Sequence, residues 1–493
     1  MRIGLWGTFD VPNYGDALFP RIGRAELLRR IPQAQVLHFA PFGREHPTRF
    51  DGGDPAETLG RYAPDRLAKL ADQLDCVIVG GGEIIHDHDW ELAPHYGRPH
   101  QDLTALAPSR FFIDGLGPDL EEECPVMWHA VGVPFDIPED QRARYRDALA
   151  PRPYVTVRDE VSKERLEAAG VEGVVVVPDP AVLLTRILSR DLLDRRLRYL
   201  RAIGSFPVRG EALAVQGSRV LMDSVDTLAP AVDALATDLG IPVVLLETGP
   251  THGDGAFADA MQARLGVPVH RVSDVGVEDV AAAIAGSAGF VGNSLHGNIT
   301  AFVFGKPHVI LGMKGESKLR GFARMVGIEG SLATRAADIP PAFRGAAERD
   351  PRTDVLGRLQ ARADRHFDRL GNLAAAAARR RPPRQAPASV QELERQFAAL
   401  RRAFELRGRR LAIQRWRMAD RVAEVERAIR EMRERLDRSE AEGEELRARK
   451  AALEREVAAK QAELDRLMST RTFRYTAPLR RAWGRARGPR NER

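Results

Sequence analysis

The sequence predicts an α/β protein of two doubly wound, Rossmann-like domains followed by a long α-helical coiled coil. Three observations carry this. Residues 1–180 alternate short apolar strands with helical patterns, the signature of βα units and a mainly parallel sheet. The same alternation resumes after a basic helical connector, Leu183–Ile203. From Phe397 the period changes to heptads. At 493 residues the chain is also too long for one compact core. The expected divisions are 1–182 and 183–345 for the two α/β domains and 346–390 for a helix with a Pro-Ala-Arg-rich linker. Residues 391–468 would form the coiled coil and 469–493 a basic amphipathic tail.

In order, Arg2–Trp6 reads as a strand, Ala17–Arg30 as a helix after a polar loop, and Gln35–Phe39 as a second strand. Pro64–Gln73 reads as a helix, and Cys76–Val79 as a buried strand closing on Gly80-Gly81-Gly82. Met127–Val131 and Tyr154–Val157 add strands, and Ser162–Ala169 is a helix ended by Gly170. Val174–Val177 runs into Pro178-Asp179-Pro180, which ends the first domain. In the second domain Ala212–Val215, Pro242–Glu247 and Val269–Val272 read as strands, with helices at Met222–Leu239, Ala256–Leu265 and near Asp279–Ser287. Ala323–Ile328 fits a return helix.

Composition narrows the function classes. Two cysteines, Cys76 and Cys124, cannot build a disulfide framework and fit a reducing cytosol. Met1–Trp6 leads straight into a strand without a signal pattern, and no run of about 18 apolar residues occurs. A cytoplasmic location is therefore expected. The net charge of +5 is uneven: residues 469–493 hold eight arginines against Glu492, so the rest of the chain is slightly acidic. A basic tail on a near-neutral body does not describe a nucleic-acid binder.

In the heptad region Val422, Val425, Ile429, Met432 and Leu436 follow 3,4 spacing, and the register continues through Leu446, Leu453, Val457, Leu464 and Leu467. This is a coiled-coil seam, pointing to a homo-oligomer; a single solvated helix is the plainer alternative but is marginal unpacked. Ser439, Gly443, Lys450 and Lys460 sit on the seam and make it imperfect, with a break expected near Gly443. The tail mixes Phe473, Tyr475, Leu479 and Trp483 with arginines. An anionic membrane surface would attract it by about 1 kcal/mol per basic residue, against the alternative of a disordered solubilising end.

The most informative stretch is Gly292-Asn293-Ser294-Leu295-His296-Gly297, a polar turn between the apolar strand Gly289-Phe290-Val291 and a helix from Asn298 to Phe304. Ligands of open α/β sheets collect at such strand ends, and helix amino termini attract anions. Other ordered motifs are Asn13-Tyr14-Gly15-Asp16, Val79-Gly80-Gly81-Gly82, Val157-Arg158-Asp159 with Ser162, Asp179-Pro180 and Gly305-Lys306-Pro307. Across about 320 residues this set resembles the polysaccharide pyruvyl transferase family. The resemblance implies a GT-B-like pair of domains. It also implies transfer of the enolpyruvyl group of phosphoenolpyruvate to a sugar of a cell-surface polysaccharide or its precursor, forming a pyruvate ketal without a cofactor. Many members carry an arginine before the Leu-His pair, contacting the donor; here that position is Ser294. The terminal Ser469–Arg480 segment is similar to tails of bacterial cell-surface glycosyltransferases. A GT-B-like glycosyltransferase using a nucleotide sugar, and a catalytically silent scaffold of surface-polysaccharide assembly, are the competing readings.

Ketal formation requires a clamped polyanion, a proton for C3 and acceptors for two sugar hydroxyl protons. His296 is the candidate proton-handling residue or donor contact, since imidazole exchanges protons near neutrality; otherwise it holds the turn. Arg158 suits bidentate contact with carboxylate or phosphate, or else pairs with Asp159 or Glu160. Lys318 and Arg320, expected in a polar loop Lys314–Arg320, could supply further positive charge, or be ordinary surface cations. Asn13, Gly15 and Asp16 occupy the first strand-to-helix loop. There Gly15 would admit a ligand to the backbone, and Asp16 would accept a hydroxyl proton or cap the helix. Gly81 and Gly82 permit backbone contact or form a tight turn, and Glu83 is a second general-base candidate. His86-Asp87-His88-Asp89 has the composition of a metal site, but the implied chemistry needs no metal and none is expected. His129 lines the cleft or packs in the core.

Overall fold

A computed structural model of the protein describes residues 1–46, 48, 50, 55–315, 317–349, 353–381 and 446–469. The chain divides into two compact units, 1–384 and 385–493. The first holds two lobes, each built on a parallel sheet. Strands β1 (Arg2–Trp6), β2 (Gln35–Ala40), β3 (Glu57–Thr58), β4 (Cys76–Gly80) and β5 (Val126–His129) lie in the order β3-β2-β1-β4-β5. β4 is buried along its whole length, as a parallel strand covered on both faces must be. Beyond β5, a bridge from Val131 to Val157 brings in a two-stranded piece, β6 (Thr156–Val157) and β7 (Val175–Val176).

The second lobe carries β8 (Leu213–Gln216), β9 (Val243–Leu246), β10 (Val269–Val272), β11 (Gly289–Gly292), β12 (His308–Leu311) and β13 (Leu332–Ala333). Their order is β10-β9-β8-β11-β12-β13, every pair parallel. Each sheet thus reverses its strand order once, between β1 and β4 and between β8 and β11. The two facing doubly wound lobes are the GT-B-like plan expected from the sequence.

Six helices contribute to the apolar cluster that joins the lobes. They are α1 (Tyr14–Arg30), α2 (Arg190–Ala202), α3 (Val277–Ala285), α4 (Leu295–Val303), α5 (Ser317–Val326) and α6 (Thr353–Arg380). α1 starts three residues before the expected Ala17 because the Asn13 side chain accepts the N–H groups of Gly15 and Asp16. It then packs on both lobes. Ile3, Phe19 and Ile22 of the first lobe share one apolar cluster with Val280, Ile284, Ile299 and Phe302 of the second. Tyr14 locks the contact: its N–H donates to the Thr248 carbonyl at 2.7 Å, and its hydroxyl lies 2.9 Å from that of Thr300.

In the 346–390 stretch, α6 lies against the first lobe. It buries Phe367, Leu370 and Ala374, and Asp364 and Asp368 receive Arg29, Arg30 and Arg186. Glu26, buried beneath, takes Arg30 at 2.6 Å and Arg186 at 3.1 Å. In the second unit, residues 446–469 are helical, and the seam residues Leu446, Leu453, Val457, Leu464 and Leu467 are exposed. The heptads from Val422 to Leu436 and the 470–493 part of the tail lie outside the described residues. Among the described residues no helix is long and apolar enough to cross a membrane.

Candidate active site

Where the two reversals of strand order face each other, the lobes enclose a cavity of about 360 Å³. Its wall comes from the loops after β1 (Thr8, Asn13, Asp16) and β4 (Gly82, Glu83), and from those after β8 (Gln216, Ser218) and β11 (Asn293, Ser294, His296). Both crevices that doubly wound sheets offer to ligands therefore open into one space. α4 begins there, three residues before the Asn298 start expected from the sequence. Ser294 caps it, its Oγ accepting the Gly297 N–H at 3.2 Å while its own N–H donates to Gln216 at 2.8 Å. The remaining first-turn N–H groups give the cavity a positive edge.

His296 is buried in a tight seat between the lobes. A Cβ on Gly15 would lie 1.9 Å from its Nδ1, so glycine at position 15 is what lets the ring lie on α1. The Phe19 ring meets it edge-on at 6.0 Å. Its Nε2 stands 3.4 Å from Asp179 Oδ2 without a well-formed hydrogen bond among the described residues. The Asp179 carboxyl would be raised by burial, but His296, Arg158 and the Ala181 N–H outweigh that and hold it below the usual range. An ionised aspartate beside an imidazole fixes the orientation of the ring.

Three further charges surround this pair. Lys318 donates to Glu83 at 2.7 Å, joining the second lobe to the first. Arg158, almost fully buried, lies 3.5 Å from Glu83, 3.7 Å from Asp159 and 3.9 Å from Asp179. All three contacts are loose, and its Nε meets no hydrogen-bond partner among the described residues, so the guanidinium is held in the wall by charge and left able to grip an anion. Burial would raise the Glu83 carboxyl, yet Lys318 and Arg158 drive it down to about 2. Such a carboxylate is a weak base. Asp16 is the opposite case: burial pushes it above the ordinary range, although His296, the Thr8 hydroxyl at 3.1 Å, Arg158 and Lys318 pull against this. Of the two acidic candidates, Asp16 is the one suited to hold and release a proton.

The opposite wall is mostly neutral. Asp254 accepts from Gln216, from Thr248 twice and from the Gly249 N–H, which orients the amide and hydroxyl groups of the floor. Burial nevertheless lifts its carboxyl to about 6. Asn13 reaches across to His252 at 3.2 Å, and the His252 ring packs on that of His95 at 4.5 Å.

Several sequence expectations change. Asn13, not Asp16, caps α1, which releases the Asp16 carboxyl into the cavity. Gly15 admits the His296 ring rather than a ligand. Gly81, at φ +122°, shapes the turn beside Phe9, and Gly82 leaves room for the Asp16 carboxylate, since a Cβ there would lie 2.9 Å from its Oδ1. Only Gly82 of the two lines the cavity. The Lys314–Arg320 segment becomes helical from Ser317, so residues 318 and 320 point to different sides: Lys318 enters the site and Arg320 stays exposed, outside the wall. His129 is in the core, its Nδ1 2.7 Å from His366 Nε2 on α6. Among the described residues no three His, Cys, Asp or Glu side chains converge as a metal site. Asp179, Gln216 and Thr8 were missed as site residues. For Asp179 a signal existed, the Asp-Pro that ends the first domain; Gln216 and Thr8 offered none beyond their places after strands.

A family model described as polysaccharide pyruvyl transferase matches residues 13–315, more than half of the chain. Among solved structures, UDP-GlcNAc 2-epimerase from Neisseria meningitidis, bound to UDP-GlcNAc, is similar at TM-score 0.45 and 12% identity. That match covers 77% of this chain and 100% of the other. The wall teichoic acid polymerase TagF is similar at TM-score 0.44 and 11% identity, covering 76% and 88%. UDP-GlcNAc 2-epimerase from Methanocaldococcus jannaschii also gives 0.44, at 11% identity over 71% and 92%. No curated protein matches the chain.

Proposed function

The chain belongs to the polysaccharide pyruvyl transferase family, and on that premise we propose that it transfers the pyruvyl group of phosphoenolpyruvate to two hydroxyls of a sugar in a cell-surface polysaccharide or its precursor. The observation that carries the reading is His296 in one cavity with Arg158 and Lys318 at a helix amino terminus, its Nε2 3.4 Å from Asp179. A polyanion entering there meets two side-chain cations and the first turn of α4, which takes the place of the family arginine at Ser294.

His296 stands beside the donor as the proton-giving group, and Asp179 orients its ring. His296 then gives its proton to C3 of the enol, leaving cationic character at C2. One sugar hydroxyl adds to C2, and its proton passes to a carboxylate, for which Asp16 is placed. The C2–O bond to phosphate breaks, phosphate leaves with a proton, and the second hydroxyl closes the ketal as its own proton is lost. Lys318 and Arg158 hold phosphate and carboxylate through both additions. Lys318 must loosen from Glu83 to do so, and Glu83 stays ionised to keep it charged.

Phosphate release from phosphoenolpyruvate with acceptor present tests this, together with mass spectrometry of the surface glycan. The glycan should gain the mass of a pyruvate ketal only when the protein is active. Equal phosphate release by the wild type and His296→Ala would remove His296 from the chemistry. The exposed seam of residues 446–469 supports self-association through the C-terminal helix, which sedimentation of the full chain at several concentrations measures. Attachment of the 469–493 tail to anionic membranes is the remaining part of the reading, and unchanged liposome binding after its deletion would end it.

A further inference from the structure

The His86-Asp87-His88-Asp89 run takes no part in the chemistry above, and its side chains separate by type. The carboxylates are engaged within the fold. Asp87 takes the Arg144 guanidinium and the Tyr145 hydroxyl, the latter at 3.1 Å. Asp89 accepts the Ser109 N–H at 2.9 Å and the Ser109 hydroxyl at 3.0 Å. The imidazoles instead join a line of rings. His86 meets Phe135 at 5.9 Å, Phe135 meets His88 at 5.2 Å, His88 meets Trp90 at 5.9 Å, and Trp90 meets His100 at 6.2 Å.

The line has an inner and an outer end. His86 and Phe135 belong to the cavity wall, on the side of Glu83 and Arg158. Trp90 is 50% exposed and Phe135 40%, the two exposed large aromatic side chains among the described residues. His100 is exposed beyond them. Large aromatic rings left in water mark contact surfaces. This one has the polarity of a sugar chain: benzenoid faces suit the C–H faces of pyranose rings, and polar imidazole rings alternate with them. A lipid would find the apolar strip interrupted at every second ring. At the inner end burial draws His86 down to about 4, so this ring is neutral and suits hydroxyl-rich ligands.

We propose that this line of rings is an extended saccharide track, on which sugar units neighbouring the one being modified stack as the acceptor chain enters the cavity. The inference rests on the polysaccharide acceptor of the preceding reading, and it adds that the enzyme selects a chain rather than a single sugar.

The test uses the full-length protein and the source organism's surface polysaccharide, freed of ketals by mild acid and sized into monosaccharides and long fragments. Calorimetry should show long fragments binding the wild type, with Kd about tenfold weaker for Trp90→Ala and largely restored in Trp90→Phe. In phosphate release, Trp90→Ala should lose about tenfold more in kcat/KM on long fragments than on monosaccharides. Equal losses on both, or an unchanged Kd, would overturn the track. So would Trp90-dependent binding to phosphatidylglycerol vesicles in place of the glycan. Trp90-dependent binding of long fragments without phosphoenolpyruvate turnover would keep the track and remove pyruvyl transfer. Turnover that ignores fragment length and Trp90 would do the reverse.

Discussion

The two walls of the cavity differ in kind. The first lobe contributes the Asp16 and Glu83 carboxylates with Arg158 among them, and buried Asp179 stands behind that wall. The second contributes the Lys318 cation and the His296 imidazole, set in a floor of Gln216, Ser294 and Thr248. The contacts His296–Asp179 at 3.4 Å and Lys318–Glu83 at 2.7 Å both cross between lobes. Neither lobe alone holds both members of either pair, so the site depends on the apolar contact that α1 makes with both.

The largest effect should come from breaking the first crossing. His296→Ala is expected to lower kcat by about a hundred- to ten-thousandfold, the usual worth of a positioned acid or base. Gly15→Ala should come close to that loss without removing a reacting group, because the new methyl occupies the space of the His296 ring. Near-normal kcat in Gly15→Ala would mean the ring position is unimportant. Asp179→Asn keeps the shape and removes the negative charge beside the His296 ring. A loss of at least about a hundredfold in kcat with KM little changed is expected.

Breaking the second crossing should act on binding. Lys318→Met is expected to raise KM for phosphoenolpyruvate about tenfold while kcat falls less. It also removes the largest pull on Glu83. In the wild type that carboxyl is held below its unfolded value, so its stabilisation is present above about pH 4.5 and lost as pH falls towards 2. Denaturation midpoints should show this acid-side contribution shrinking in Lys318→Met.

A smaller, purely structural effect concerns α6. Burial draws His129 down to about 4, against the charge of Asp179, and draws His366 well below its ordinary value. Both groups bind fewer protons folded than unfolded, so their contribution is present above about pH 6.5 and lost as pH falls towards 4. His366→Phe should reduce the stability lost between pH 7 and 5 by roughly 1–2 kcal/mol. A steeper loss in the variant would contradict the assignment. Smallest of all, Arg320→Ala should leave kcat/KM within about twofold, being exposed and outside the cavity.

Which parts were legible in advance follows from how far apart the interacting residues lie in the chain. Strand-helix alternation, the Ser294-Leu295-His296-Gly297 turn and the Gly82 and Arg158 positions after strands are local signals, so fold class and much of the wall could be read directly. Helix starts were less secure, because the Asn13 cap competes with Asp16 for the same role. The short helices between Asp89 and Glu121 carry no long apolar period and went unread. Arg320 and Lys318 look alike in a polar stretch; only a helix beginning at Ser317 tells them apart.

The sequence by itself determined two parallel α/β lobes and placed a histidine at a strand-to-helix turn, because hydrophobic period and turn chemistry act over a few residues. Only the tertiary structure decided what that histidine faces. Asp179 lies 117 residues away from His296 and Gly15 lies farther still, and no local rule brings them together. Packing of α1 between the lobes does so, since burying its apolar residues on both sides fixes the distance across which the charges meet.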